Sequence, residues 1–295
     1  MTDKLKVAVT GASGFIGQYV LRSLTKENVE VIAVVRNNDD SKFTDSQIRL
    51  VEMDISSPGE NPFESLERPD ILIHLAWGGL PDYKNSSHLE VELPVHRSFL
   101  SQMVRAGLKT LFVSGTCLEY GMKSGELSED DLPAPANPYA MAKDALRKEL
   151  EDLKNRYEFN LIWSRLFYMY GAGQASRSLY PLLQKALERG DVEFKLSGGE
   201  QLRDYLHVEE VADDIVSLAL SRQDYGIINI CSGKPVSVRS LVEAWVKQSQ
   251  RFIELKFGES PYPDYEPMEF WGSRMKLESS LLRVSQSSEG VVNES

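Results

Sequence analysis

The chain has two cysteines in 295 residues, Cys117 and Cys231, and they stand too far apart for a CxxC pair. A disulfide framework and a zinc site of ordinary spacing are thereby set aside. Histidine is nearly as scarce: His74, His88, His96 and His207 show no HExxH or similar ligand pattern, so no metal is expected. No apolar run approaches the roughly 18 residues of a membrane span. The first residues, MTDKLKVAVTG, lack a basic and apolar leader with a small-residue cleavage site. Retention in the cytoplasm, with no membrane partner, is the expectation. Runs of Lys and Arg are missing as well. With 33 basic against 44 acidic residues the formal net charge is −11, which repels nucleic acid and anionic membranes. An anionic small ligand must then be met by individual arginines.

What is present is an alternation. Over the first 166 residues, short aliphatic or β-branched runs alternate with helical patterns, the sequence form of a parallel sheet with crossover helices. Strands are expected at 6–10, 30–36, 48–52, 71–75, 110–114 and 161–166, about six in all, with helices at 16–25, 89–106 and 139–157. The last helix follows the Pro-rich entry LPAPANP, and Pro138 suits its first turn. After Tyr170 the rhythm changes to helices at 179–188 and 208–221 and a short strand at 227–231, which reads as a smaller second domain. The stretch 257–272 reads as a wrapping loop, and the tail after Arg283 as a polar, frayed end.

Three features carry chemistry. Residues 10–17 read TGASGFIG between a strand and a helix, the context that makes a glycine pattern informative. Gly11 permits the tight turn, Gly14 lets the backbone approach a pyrophosphate, and Gly17 lets helix and strand pack closely. At the end of the second strand, VVRNN offers Arg36 and Asn37 where NAD enzymes usually keep an acidic residue. A guanidinium there suits a 2′-phosphate, so NADP(H) is expected ahead of NAD(H), unless Arg36 is merely a solvated surface residue. Asp54 either accepts from the adenine amino group or caps the next turn.

Tyr139 and Lys143 lie four apart on one helix face. A phenol is a poor acid at neutral pH, and an adjacent ammonium is expected to bring its pKa toward the working range. The third member should follow the fifth strand, where VSGTCLEYG offers Ser114 and Thr116. Counted back from Tyr120-Gly121, Thr116 takes the position beside Tyr139, and Ser114 is the strand-end hydroxyl that satisfies backbone.

With TGASGFIG, DILIHLAW, the Thr116 segment, YAMAK, SRLFYMYG and RDYLHVEEVADDI in order, the chain resembles an extended short-chain dehydrogenase/reductase of the NAD-dependent epimerase/dehydratase family. The resemblance implies a doubly wound Rossmann sheet at 1–167 and a smaller α/β domain for a nucleotide diphosphate-sugar at 168–295, with 204–222 a candidate to pack back on the first. It extends the cofactor set from Gly11, Gly14, Arg36, Asn37 and Asp54 to Ser13, Phe15, Ile16, Ile55, Leu75, Ala76 and Trp77, and makes Lys143 a ligand of the nicotinamide ribose beside Tyr139. It assigns Arg203 to the substrate diphosphate, a task for which a guanidinium is well shaped; a bridge from Arg203 to Asp204 or Asp213 is the alternative. Thr116, Tyr168, Ser178, Leu179 and Phe194 complete the implied substrate contacts, the last by stacking on the base. A homodimer through helices 89–106 and 139–157 is implied as well.

Departures narrow the reaction. Tyr168 stands where relatives often carry Asn, which puts phosphate binding there in doubt. Thr116 is followed by Cys117 and Leu118 rather than the Asp-Glu pair of 4,6-dehydratases, and GAGQ after Tyr170 brings no histidine to partner Cys117, which is read as packing. The remaining kit is that of a keto-sugar reductase, and GTCLEYG and HLAWGGLPDY resemble reductases of nucleotide-linked 4-keto-6-deoxyhexoses, which implies deoxysugar synthesis for surface polysaccharide such as O-antigen. A 4-epimerase with retained NAD is the alternative, and a non-catalytic NAD(P)-sensing protein a further one.

Overall fold

Strand β1 (Leu5–Thr10) leads through a glycine turn to α1 (Phe15–Leu24), β2 (Val29–Val35), β3 (Ile48–Glu52), α2 (Pro62–Ser65) and β4 (Ile71–His74) in the computed structural model, which describes residues 4–36 and 45–292. A π-helical turn at His88–Glu92 opens α3 (Leu93–Arg105), followed by β5 (Thr110–Thr116), a tight turn at Cys117–Tyr120, β6 (Gly125–Leu127), α4 (Pro138–Lys154) and β7 (Asn160–Leu166). Then come β8 (Tyr168–Tyr170), α5 (Leu179–Arg189), β9 (Glu193–Leu196), β10 (Leu202–His207), α6 (Val208–Leu220) and β11 (Gly226–Ile230). The chain ends with β12 (Pro235–Ser237), α7 (Val238–Ser249), β13 (Glu254–Phe257), β14 (Phe270–Gly272) and α8 (Met275–Val292).

Seven parallel strands form the main sheet in the order β11-β7-β5-β4-β1-β2-β3. Helices cover both faces, so the strands are apolar on both sides. Val7 and Val9 of β1 face the core under α1 and α6, while Ala8 faces the core under α3 and α4. This is the doubly wound Rossmann architecture the motifs implied. The seventh strand corrects the expectation of about six. The short strand after α6 was placed in the second domain, but it pairs with β7 in the main sheet.

The boundary at 167/168 is therefore not a boundary between layers. Helix α6 returns to lie on α1, where Ser23 Oγ donates to Asp213 Oδ1 at 2.6 Å, and Leu277 of α8 joins the same core. The tail is helical through Val292 rather than frayed. The stretch after β13 is not all loop either, because β14 pairs in parallel with β6. Helix α3 starts later than 89, since Pro94 has no N–H to give to Glu90 and a wider π turn takes its place. A second set of strands, β12-β10-β8, stands beside α5 and α7, whose Leu183, Leu187, Val242 and Trp245 form a core of their own.

The chain order reverses between β1 and β4, and a crevice opens at such a switch point beyond the carboxyl ends of the strands. The turn that borders it is tight. A Cβ on Gly17 would lie 2.2 Å from Gly11 O and 2.8 Å from Ala12 Cα. Gly17→Ala is expected to destabilise the fold by about 1–3 kcal/mol, read as a lower denaturation midpoint; a variant as stable as the parent would show that α1 does not depend on this approach.

Candidate active site

The crevice is a cavity of about 420 Å³. Gly11 turns the chain at φ +69°, and a Cβ there would lie 2.7 Å from Ala76 N. Gly14 caps α1 with no side-chain acceptor, so the first-turn N–H groups are left for an anion. These features fit a dinucleotide pyrophosphate. Gly11, Ser13, Gly14, Arg36, Asp54, Ile55, Leu75, Ala76 and Trp77 of the expected cofactor set line this cavity. Phe15 and Ile16 instead pack toward the core as α1 begins, and Asn37 lies outside the described residues. Asp54 takes the alternative role: its Oδ1 accepts from Ser56 N at 2.9 Å and Ser56 Oγ at 2.8 Å. These bonds, with a smaller contribution from the Arg36 charge, hold its carboxyl below the ordinary range.

Glu92 and His96 also line the cavity and were missed, although their four-residue spacing on a helix was a usable signal. They end a buried chain. Thr10 Oγ1 is 2.8 Å from His74 Nδ1, His74 Nε2 is 2.7 Å from His96 Nδ1, and His96 Nε2 is 3.2 Å from Glu92 Oε2. Glu92 Oε2 also accepts from Gly78 N at 2.9 Å. Burial and the nearby Lys143 charge keep both imidazoles below their usual pKa. With neutral rings, the acceptor Glu92 sets the tautomers: His96 donates from Nε2, His74 from Nε2, and Thr10 donates to His74. His96 then stacks on Trp77 at 4.4 Å between ring centroids, and Trp77 Nε1 donates to His88 Nδ1 at 3.1 Å.

Helix α4 begins at Pro138, and Asn137 Oδ1 accepts from Ala140 N at 2.9 Å. That cap points Tyr139 and Lys143 into the protein, 8% and 1% exposed. Lys143 Nζ donates to Ser114 O at 2.8 Å and sits 3.9 Å above the Trp77 ring. Burial brings its pKa down to about 7, against the pull of Glu119 and Glu92. Burial pushes the Tyr139 phenol up, the charges of Tyr83 and Glu119 add to this, and the hydrogen bond with Thr116 opposes it. The expected lowering of the phenol by the ammonium is thus not what the resting site has. Desolvation of the whole pair outweighs it.

Thr116, rather than Ser114, meets Tyr139. Ser114 Oγ donates to His74 O at 3.4 Å, the backbone role read for it. Thr116 is fixed by its own turn: its hydroxyl accepts from Leu118 N at 3.3 Å and its N–H donates to Glu119 Oε1 at 2.9 Å.

Arg203 is 3% exposed, and the carboxylate it meets is neither Asp204 nor Asp213. Its NH2 is 2.9 Å from Glu266 Oε1, whose side chain is 7% exposed; burial pushes the Glu266 carboxyl up to about 7. The Tyr168 hydroxyl donates to the other oxygen of Glu266. Asp204 instead accepts from Ser232 N at 2.6 Å and Gly233 N at 2.9 Å, and Asp213 faces Ser23. Ser178 precedes α5 without capping it through its side chain, and Leu179 and Phe194 pack against the α5–α7 core. Phe194 is half-buried against that core. Burial pushes the Cys117 thiol up, in keeping with its packing role. Glu266, Glu119 and Arg165 are the functional neighbours that the sequence did not reveal. No cluster able to hold a metal occurs among the described residues.

A match to the NAD dependent epimerase/dehydratase family spans residues 7–231. The chain belongs to that family. Within it, the chain is 30% identical over 272 residues to a dTDP-6-deoxy-L-talose 4-dehydrogenase (NAD(+)) from Aggregatibacter actinomycetemcomitans, covering 92% of this chain and 100% of that protein. It is 26% identical to a UDP-glucose 4-epimerase from Azospirillum brasilense over 88% of this chain and 83% of that one. The solved structure of MoeE5 in complex with UDP-glucuronic acid and NAD superposes with a TM-score of 0.78 at 28% identity, over 94% of this chain and 92% of that chain. The expected preference for NADP(H) finds no support there, since this neighbour holds NAD.

Burial favours the neutral amine of Lys143 and brings its pKa down to about 7. In the protein without ligands, the 13Cε resonance of Lys143 is expected to titrate near pH 7. A transition near the ordinary lysine value of about 10.4 would show that water reaches the ammonium.

Proposed function

We propose that the protein interconverts a nucleotide-activated 4-keto-6-deoxyhexose and its 4-hydroxy form, working as a reductase in deoxysugar nucleotide synthesis for surface polysaccharide such as O-antigen. One observation carries this reading. The three carboxylates around the Tyr139–Lys143 site are each engaged, Glu119 with Arg165 at 2.9 Å, Glu266 with Arg203 at 2.9 Å, and Glu92 with His96 Nε2 at 3.2 Å and Gly78 N at 2.9 Å. A hydroxyl, a phenol and an amine remain, which suffice for proton transfer to a ketone and supply no acid and base for losing water. The relative named a 4-dehydrogenase acts in the sense that reverses this reduction.

Gly11, Ser13, Gly14 and the other residues lining the crevice would hold a dinucleotide, which when bound would supply the hydride for C4. Tyr139 gives its phenolic proton to the C4 oxygen, completing the alcohol. Thr116, whose hydroxyl acts on the Tyr139 phenol, aligns that oxygen. Lys143, which lies over the Trp77 ring, would hold the ribose of that dinucleotide and place positive charge near the phenol. Arg203 holds the diphosphate of the nucleotide sugar when Glu266 yields it, within a substrate domain made of the residues after 167 that do not rejoin the Rossmann layer. We infer NAD(H) as the dinucleotide, because a 2′-phosphate near Arg36 would also meet the Asp54 carboxylate in the same cavity. The free cysteines suit a reducing, cytoplasmic setting. The dimer we infer uses α3 and α4, which pack side by side and present Met141 at 42% exposure.

Purified protein mixed with NADH and a dTDP-linked 4-keto-6-deoxyhexose is expected to consume NADH stoichiometrically, and at least ten-fold more efficiently than NADPH. Tyr139→Phe is expected to lower kcat by about 100-fold or more. Conversion of a 4-hydroxy sugar to its epimer without net NADH change would favour the 4-epimerase reading, which the same three residues and the epimerase relative support. Unchanged turnover in Tyr139→Phe would favour a non-catalytic, dinucleotide-sensing role. Sedimentation at micromolar concentration is expected to give a dimer; a monomer would remove α3 and α4 as an interface.

A further inference from the structure

Glu119 is 0% exposed, and every contact made by its two oxygens is with a donor. Oε1 accepts from Thr116 N at 2.9 Å, Trp163 Nε1 lies 3.0 and 3.1 Å from the two oxygens, and Oε2 accepts from Arg165 Nε at 2.9 Å. An acceptor-only pattern of this kind is that of an ionised carboxylate. Burial pushes the carboxyl up, and Arg165, Thr116 and Trp163 oppose that. The backbone makes room for it: a Cβ on Gly115 would lie 2.6 Å from Glu119 Oε1 and 2.4 Å from Trp163 Nε1. The ion pair is polarised toward the site. Its negative end is bonded to Thr116, whereas the Arg165 guanidinium lies 4.3 Å over the Tyr120 ring.

We propose that Glu119 is a positioning residue that holds Thr116 in place and favours the protonated form of the Tyr139–Lys143 pair, the form that donates a proton to a ketone. The proposal rests on Tyr139 and Lys143 being the proton-handling pair. An anion beneath the pair opposes loss of a proton from either member, so its sign does not depend on which group ionises first. The Glu119 charge raises both Tyr139 and Lys143. The other groups around the pair are Tyr83 and Cys117 beside the phenol, and Glu92, His74 and His96 beside the amine. His88 meets the Tyr139 ring at 5.3 Å. Glu92, the other anion acting on Lys143, is 22% exposed and bonded to His96. Glu119 is the fully buried one.

The test is Glu119→Gln, which keeps shape and removes charge. The Lys143 13Cε transition is expected to move from about 7 to lower pH by about one unit or more. The alkaline limb of kcat for ketone reduction should move the same way, while KM changes less than about threefold. Glu119→Asp should return the limb toward its original position even if kcat stays reduced. Since Glu119→Gln leaves Arg165 without its partner and can prevent folding, the double variant Glu119→Gln with Arg165→Met is read in the same way. A folded single or double variant whose Lys143 transition stays in place overturns the proposal. Absence of turnover by the parent protein would remove the reductase reading and leave the Lys143 titration to judge Glu119.

Discussion

Lys143 carries an ammonium group into a region with almost no water, and its neighbours are arranged around that cost. A carbonyl, Ser114 O, accepts from it; an aromatic face, Trp77, lies beneath it; and two anions, Glu119 and Glu92, act on it from different elements. The cap at Asn137 and the turn at Thr116 are what bring the helix and the strand end close enough for this to happen. Desolvation of the amine and the phenol together is the condition under which small changes in nearby charge have a large effect on proton affinity.

Much of the framework was legible because it is local. TGASGFIG needs no distant partner to show that Gly11 turns and Gly17 packs, and a four-residue spacing suffices to place Tyr139 and Lys143 on one face. The unread part is long-range. Glu119 meets Arg165 across 46 residues, and Tyr168 meets Glu266 across 98. Nothing in either local segment marks a carboxylate for burial. Strand β11 was misplaced for a related reason, since Ile227 and its neighbours look the same whether they pair with β7 or with a second sheet. Burial also reversed one electrostatic expectation: periodicity put the amine beside the phenol but could not report that both would be dry.

The substrate side combines a readable arginine with an unreadable partner. Arg203 stands at the front of RDYLHV, as the resemblance implied, yet its guanidinium is held by Glu266 from the stretch between β13 and β14. Tyr168, in place of asparagine, shares that carboxylate. These three residues thus form one connected group that joins β8 and β10 to the stretch between β13 and β14.

Asp204, next to Arg203, gives that arrangement a fixed point. Its carboxylate gathers backbone N–H groups from Ser232 and Gly233, just past β11, and from Gly272 in β14. A strand of the small sheet is thus riveted to the rim of the large one within one residue of the arginine. One carboxylate therefore serves as the shared acceptor for three separate stretches of backbone, and the arginine beside it starts from a strand whose place is set by those three bonds.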